Sequence, residues 1–500
     1  MIGFIKKLAA KIWAKNHVKQ TEYYKNNAEQ LQEKLLLDMV KSAEKTLFGL
    51  QHNFSEIKSV EDFQKNVKIY DYEDLKPFIE KIKHGDKNIL WQEKPEYFAK
   101  TSGTTSGTKY IPLTKEGMDF QVKAAQSALF HYIAQKNNAD FVNGKMIFLQ
   151  GSPELEDKNG IKTGRLSGIV AHHIPKYLQK NRLPSYETNC IEDWETKVDK
   201  IVEETEKENM TLISGIPPWL IMYFEKLIER NGKKIKQLFP NLQLIVTGGV
   251  NYEPYREKME ELLGGKVDII QTFPASEGFF AFQDDYQKEG LLLQTNHGIF
   301  YEFVPLEEYG KENARRLTLK EIELNKDYAL ILTTNSGLWV YSIGDVVRFI
   351  SKNPHRILVS GRTKHFTSAF GEHVIAFEVE EAMKATVEKF PAQITEFHLA
   401  PQVNPENGEL PYHEWFIEFE KEPENLEDFR LNLDLEMRKR NTYYDDLIAG
   451  NILQVLKITK LQKNAFQEYA KSEGKLGGQN KIPRLANDRK IGDFLKNFKI

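Results

Sequence analysis

Ten consecutive residues, Thr101-Ser102-Gly103-Thr104-Thr105-Ser106-Gly107-Thr108-Lys109-Tyr110, combine a dense run of hydroxyls with two glycines and a lysine. Glycines let successive backbone N–H groups converge on one point, and hydroxyls and an ammonium add donors to an anion held there. The chemistry suited to such a cradle is phosphate binding, which makes a nucleotide the first ligand class to consider. Gly103 and Gly107 enclose three residues, and Thr108 displaces Lys109 from the second glycine. That spacing departs from the Walker A loop and disfavours a kinase-type P-loop.

Three further segments carry groups that a nucleotide needs. Phe273-Pro274-Ala275-Ser276-Glu277-Gly278 follows an apolar run at 267–271 that reads as a strand, and ligands of open α/β sheets sit beyond such strand ends. There an aromatic ring could cover a base while a carboxylate reaches Mg2+ or phosphate-bound water. The plainer reading makes Phe273 core and Glu277 a helix cap. In Gly337-Leu338-Trp339-Val340-Tyr341-Ser342-Ile343-Gly344-Asp345, Asp345 has the lone pairs to accept both ribose hydroxyls, although Gly-Asp is also an ordinary turn dipeptide. Gly477-Gly478-Gln479-Asn480-Lys481-Ile482-Pro483-Arg484 sets a lysine in a glycine-led segment, from which it could swing onto an α-phosphate or simply face solvent.

The elements that must position these groups read as a layered α/β domain. Strands are expected at 145–149, 242–246 and 267–271, separated by helical stretches that include 219–238, with a strand-rich section from 298 to 349. Residues 20–50 read as helix with Leu31, Leu35, Met39 and Leu47 inward. After Gly361-Arg362 the texture changes to a smaller α+β unit with helices at 378–387 and 426–440 and a half-buried strand at 414–420. The expected division is a large domain over 1–360 and a small one over 361–500.

Composition excludes several classes. The chain has 500 residues with 69 basic and 72 acidic side chains and a formal charge of −3, so no global field calls for nucleic acid or an anionic membrane as partner. The single cysteine, Cys190, suits a reducing compartment and reads as a buried thiol. Phe4, Ile5, Leu8, Ile12 and Trp13 fall at helical spacing near the start, and the expectation is that this face packs on the protein body rather than on a membrane. His172 and His173 lack companions at metal-site spacing, and no zinc centre is expected. Arg165, Gly215-Ile216-Pro217-Pro218-Trp219 and Phe279-Phe280 are candidates for the wall of an acyl pocket.

In order and spacing, the four motifs resemble those of the adenylate-forming superfamily, and the fuller pattern resembles its Gretchen Hagen branch of auxin-responsive acyl-acid amido synthetases. The resemblance rests on Phe98-Ala99-Lys100-Thr101 through Ile111-Pro112, on Thr333-Thr334-Asn335-Ser336-Gly337-Leu338-Trp339, on Tyr341-Ser342-Ile343-Gly344-Asp345-Val346-Val347, and on Gln479-Asn480-Lys481-Ile482-Pro483-Arg484. Thr46-Leu47-Phe48-Gly49 and Val67-Lys68-Ile69-Tyr70-Asp71-Tyr72 also look like the family's first helical region.

The resemblance implies ATP and Mg2+ as cofactors and a carboxylic acid and an amino acid as substrates. Ser102, Gly103, Thr104 and Thr105 would meet phosphates, and Gly248-Gly249-Val250, Phe273 and Ser276 the adenosine. Asp345 would bind ribose, Glu277 would hold Mg2+, and Lys481, on a mobile small domain, would stabilise charge at the α-phosphate. His365 occupies the position of the superfamily's hinge, often Asp or Lys, and Val340 stands where relatives often carry a basic residue. The expected protein is a cytoplasmic monomer or weak oligomer without nucleic-acid or membrane partners. A CoA ligase and a catalytically silent nucleotide-binding protein are the alternatives.

Overall fold

The computed structural model describes residues 2–102, 108–174, 179–191, 193–249, 252, 255–363, 366–367, 369–370, 374–403, 405, 409–449, 452–474, 482–486 and 488–500. The chain divides into two compact units, one of residues 1–250, 262–343 and 347–358, the other of 251–261, 344–346 and 359–500. The second unit therefore takes in two short stretches of earlier sequence besides the chain from Val359.

An eleven-stranded sheet organises the first unit. Its order is Ile299–Pro305, Asp327–Thr334, Tyr341–Lys352, His355–Arg362, Leu291–Leu293, Gly278–Phe282, Asp268–Ala275, Leu244–Gly248, Met210–Ser214, Lys145–Phe148 and Arg182–Leu183. The last five run parallel. Met146, Ile147, Leu212, Ile213, Leu244 and Ile245 on these strands are all 5% exposed or less. Burial on both faces is why the strands read as continuous apolar runs rather than as alternating ones. The helix Pro217–Asn231 starts on a proline and stops at Gly232, whose φ of 65° suits the left-handed cap that ends a helix.

The expected inward face of the first helix is corrected. Ile2–Asn26 packs against Lys115–Lys136 through Ala10, Ala14 and His17, the last with its ring 5.2 Å from that of Phe130. Small side chains let two helices approach closely, so the alanines take the contact. Ile5, Leu8, Ile12 and Trp13 are instead 50–58% exposed. The following helix, Ala28–Ala43, buries Leu36, Met39 and Val40 together with Gln32. The Gln32 carboxamide donates to the carbonyls of Thr295 and Ile299 and accepts from the Tyr301 N–H at 2.9 Å. It thereby pairs with the backbone of the outermost strand, Ile299–Pro305, which Leu317 also bridges at Phe303.

The second unit is built on a three-stranded sheet of Gln393–Gln402, Tyr412–Lys421 and Lys457–Leu461. Helices Ala376–Lys389 and Leu426–Arg440 contribute Val379, Leu433 and Met437 to a core around Trp415 and Ile417. Phe416 packs in a separate cluster with Leu461, Phe466 and Leu495. The central strand is thus buried on both faces rather than half-buried. Glu414 and Glu418 stay inside because they are satisfied: Arg489 donates to Glu414 at 2.7 Å, and the Asn464 N–H donates to Glu418 at 2.9 Å. Among the described residues no helix is long and apolar enough to cross a membrane.

Candidate nucleotide site

The hydroxyl-rich run joins two antiparallel strands, Tyr97–Ser102 and Thr108–Leu113, in which Ser102 stands opposite Thr108. Gly103, Thr104 and Thr105 lie outside the described residues, as does the Ser102 side chain. What holds the strand leaving this run is Tyr72, whose hydroxyl accepts from the Tyr110 N–H at 2.8 Å while the Lys109 ammonium lies 5.4 Å from its ring centre. Tyr72 ends the 67–72 segment, which the sequence marks only as resembling the family's first helical region.

A second group gathers at the carboxyl ends of the parallel strands. Gly248 is fixed by close approach, because a Cβ there would stand 2.4 Å from Thr272 Oγ1 and 2.5 Å from the Thr272 carbonyl oxygen. Gly249 follows with φ of 80°, in the left-handed region that glycine adopts without strain. The result is a side-chain-free backbone edge beside the end of Asp268–Ala275. Val250 lies outside the described residues.

Ser276 and Glu277 occupy the two-residue tip between Asp268–Ala275 and Gly278–Phe282, with Ala275 opposite Gly278. Glu277 is therefore on a hairpin tip, not at a helix start, and both residues are half-buried. Gln121 of the Lys115–Lys136 helix donates to the Ser276 carbonyl at 3.3 Å and ties the tip to that helix. Phe273 is 8% exposed, and its ring meets Phe280 edge-on at 5.0 Å inside the main core. This packing supplies little free ring face for a base.

Asp345 belongs to the second unit's contacts. It sits within the strand Tyr341–Lys352, rather than in a turn, just after Gly344 at φ of 86°. Arg362 Nε approaches its carboxylate at 3.4 Å, and the Thr363 N–H donates to the Gly344 carbonyl at 2.8 Å. His365 and Lys481 lie outside the described residues.

The chain just beyond Lys481 is anchored firmly within the second unit. Pro483 presents its carbonyl 2.7 Å from His398 Nδ1, and Leu485 bridges Leu399. Arg484 pairs with Glu380 and Glu396, donates to the Tyr255 hydroxyl, and stacks 4.4 Å from the Phe397 ring centre.

Several other polar side chains are held by neighbouring backbone or hydroxyl groups. His172 Nε2 lies 2.9 Å from the Pro153 carbonyl and His173 Nε2 lies 3.1 Å from the Tyr97 hydroxyl; among the described residues no three metal-binding side chains cluster. The Thr333–Trp339 segment works as a buried brace. Thr114 Oγ1 reaches the Asn335 carbonyl at 3.1 Å and accepts from the Gly117 N–H that opens the Lys115–Lys136 helix, while Trp339 Nε1 donates to the Leu90 carbonyl at 2.8 Å. Lys197 was missed by the sequence reading altogether. Burial pushes its ammonium down to about 8, and it donates to the carbonyls of Gln150 and Asn189 at 3.0 and 2.6 Å. A lone lysine in a charged helix gives no signal of this.

The fold is that of the adenylate-forming ligases. It matches the AtGH3.15 acyl acid amido synthetase solved with 2,4-DB at a TM-score of 0.79 and 18% identity, over 97% of this chain and 96% of that one. It matches a 2-hydroxyisobutyryl-CoA ligase, solved in its postadenylation state with 2-HIB-AMP, at a TM-score of 0.62 and 12% identity, over 94% and 91% of the two chains. Within that class the chain belongs to the GH3 family: the family's N-terminal domain matches residues 17–189, its central domain 292–362 and its C-terminal domain 377–490. One relative, the probable indole-3-acetic acid-amido synthetase GH3.1 of Arabidopsis thaliana, is 21% identical over 552 aligned positions that cover 94% of this chain and 91% of that protein.

Proposed function

We propose that this chain is an ATP-dependent acyl-acid amido synthetase. The observation that carries the reading is that the three matched family domains run through both compact units and include Ser102, Asp345 and Lys481. The carboxylate of an acyl acid attacks the α-phosphorus of ATP, the bond to the β-phosphate oxygen breaks, and pyrophosphate leaves. An amino acid's amine then attacks the acyl carbon, the bond to AMP breaks, and the amine proton passes to solvent.

The described residues suit ATP. Gly248 and Gly249 offer a backbone edge where no side chain blocks an adenosine, at the strand ends where α/β sheets take ligands. Ser276 and Glu277 border it on the neighbouring hairpin tip; by the family resemblance, rather than by the described geometry, Ser102, Gly103, Thr104 and Thr105 serve the phosphates and Asp345 the ribose. Phe273 acts here by packing beneath the edge more than by stacking on the base. Mg2+ demands hard oxygen ligands and is commonly held by one or two carboxylates plus substrate phosphates, which the Glu277 carboxylate fits. When bound, the ion would neutralise charge on the departing pyrophosphate.

Lys481 supplies positive charge at the α-phosphate, and no covalent enzyme intermediate is needed. His365 serves as a hinge between the half-reactions. The reaction is assigned to the cytoplasm, where ATP is supplied and Cys190 stays reduced.

The test is pyrophosphate release from Mg-ATP over a panel of aryl, indolyl and aliphatic carboxylates, with amino acids or CoA as acceptor and Lys481→Ala as control. Carboxylate-dependent release, lost in the variant and followed by amide formation, is expected. A thioester product would move the chain to the CoA ligases, and ATP binding without release over the whole panel would leave a silent nucleotide-binding protein.

A further inference from the structure

The outward face of the Ile2–Asn26 helix is unaccounted for by any step of this chemistry. Ile5, Leu8 and Ile12 fall at i, i+3 and i+7, within an arc of roughly 60° on a helix of 100° per residue. They are 58%, 50% and 51% exposed, and Trp13 beside them is 57% exposed. The opposite side of the same helix is occupied by its contact with Lys115–Lys136, so this stripe is a second face and not a poorly packed version of the first.

Its charge is as distinctive as its apolarity. Lys6, Lys7, Lys11, Lys15 and Lys19 precede the first acidic residue, Glu22, in a chain whose total charge is −3. Lys7 turns inward to pair with Asp140. Helical spacing sets Lys15 at one border of the stripe with Lys11 further round on that side, Lys6 beyond Trp13 on the other side, and Lys19 on the line of the stripe one heptad beyond Ile12. An apolar strip bordered by long cationic side chains, with an indole at its margin, is the construction that lies in a lipid headgroup region: the aliphatic groups enter the acyl boundary and the ammonium groups stay with the phosphates.

We propose that this face docks the protein onto an anionic bilayer surface. Charge selects lipid over a second copy of the chain, because a two-fold pairing of the face with itself would bring the lysines of both copies together. It also distinguishes the surface from an ordinary core face, whose borders carry acids as well as bases.

The inference is independent of the proposed reaction and is tested on the full chain by sedimentation with extruded vesicles, either pure phosphatidylcholine or containing about 30 mol % phosphatidylglycerol. Binding to the anionic vesicles only is expected, weakening as salt rises from about 0.05 to about 0.5 M. Leu8→Ser with Ile12→Ser leaves the charge unchanged and should lower the partition coefficient by about 10-fold or more. Lys11→Gln with Lys15→Gln should weaken binding to the anionic vesicles by a similar factor. Trp13 emission should shift to the blue on binding, and this shift should vanish in Trp13→Phe. Leu8, Ile12, Trp13 and Lys15 are exposed and Lys11 is half-buried, so a melting temperature within a few degrees of the wild type is expected and confirms that the variants fold. Absence of sedimentation with anionic vesicles overturns the proposal, as does binding that neither double variant weakens. A lipid-free dimer of the wild type that Leu8→Ser with Ile12→Ser dissociates would assign the face to a second copy and overturn it equally.

Discussion

Arg484 Nη2 donates to the hydroxyl of Tyr255 at 3.1 Å, joining the chain that follows Lys481 to the stretch that begins just after Gly249. The same guanidinium faces Glu380 and Glu396, with a side chain 9% exposed. Two largely buried carboxylates would lose this guanidinium in Arg484→Ala, a change expected to cost about 3–5 kcal/mol. Arg484→Lys keeps the charge and loses the fork that reaches several acceptors at once. It should fold, bind ATP nearly as the wild type does, and release pyrophosphate about 10-fold more slowly, because Lys481 stands three positions upstream. Equal loss of nucleotide affinity and release, measured by fluorescent-nucleotide titration beside the release assay, would sink this reading.

Glu277 lies half-buried at a hairpin tip, and glutamine removes its charge while keeping its size. Glu277→Gln should leave the melting temperature unchanged and raise the Mg2+ concentration giving half-maximal pyrophosphate release by about 10-fold. A superimposable Mg2+ titration in the variant would remove Glu277 from the metal site.

Gly248→Ala tests the backbone edge. The new Cβ would meet the Thr272 carbonyl oxygen at 2.5 Å, and that atom moves only if the neighbouring strand moves. Overpacking of this kind should destabilise the first unit by about 2 kcal/mol and weaken ATP binding. Calorimetry and nucleotide titration read the two effects, and a variant with wild-type values in both would refute the close approach.

Acid should loosen the first unit through its histidines. Burial lowers His131 to about 4 and likewise His297 to about 4. Both exceed the acidity of an unfolded histidine near 6.5, so between those values the unfolded chain binds more protons and stability falls as pH falls. The histidine contribution is fully present above about 6.5 and reaches a loss of about 3 kcal/mol per residue near pH 4. Urea unfolding between pH about 7 and about 5, where carboxylates contribute little, should show this slope, and it should flatten in His131→Gln with His297→Gln. A stability independent of pH over that window would contradict the neutral buried histidines.

Strands with long apolar runs were legible because both of their faces are covered, and the sequence places 145–149, 242–246 and 267–271 within a few residues of the observed bounds. The helix Ala376–Lys389 and the helix Leu426–Arg440 were legible through their periodicity. The face of the first helix was not. Hydrophobicity points to Ile5 and Trp13, whereas the contact is decided by which residues are small enough for two helices to touch, and that depends on Ala124 and Ala128 far along the chain. At the candidate site the segments were legible and the packing was not. Phe273 reads either as a stacking ring or as core, and spacing does not choose between them; its packing is set by Phe280, which the hairpin folds back beside it. Tyr72, Lys197 and Arg484 act through distant backbone and charge partners, which spacing alone does not reveal.

Gln32 imitates a strand at the border of the large sheet, taking the Tyr301 N–H and giving to the Ile299 carbonyl, while Leu317 occupies the next position along. A bare strand border is a template on which another chain can crystallise its own backbone, the first event in many precipitates and fibrils. A carboxamide on a helix and the backbone of Leu317 together cover that template. Exchange of Gln32 for leucine would leave the reaction chemistry untouched and would be felt first in the expression host, as protein that collects in inclusion bodies.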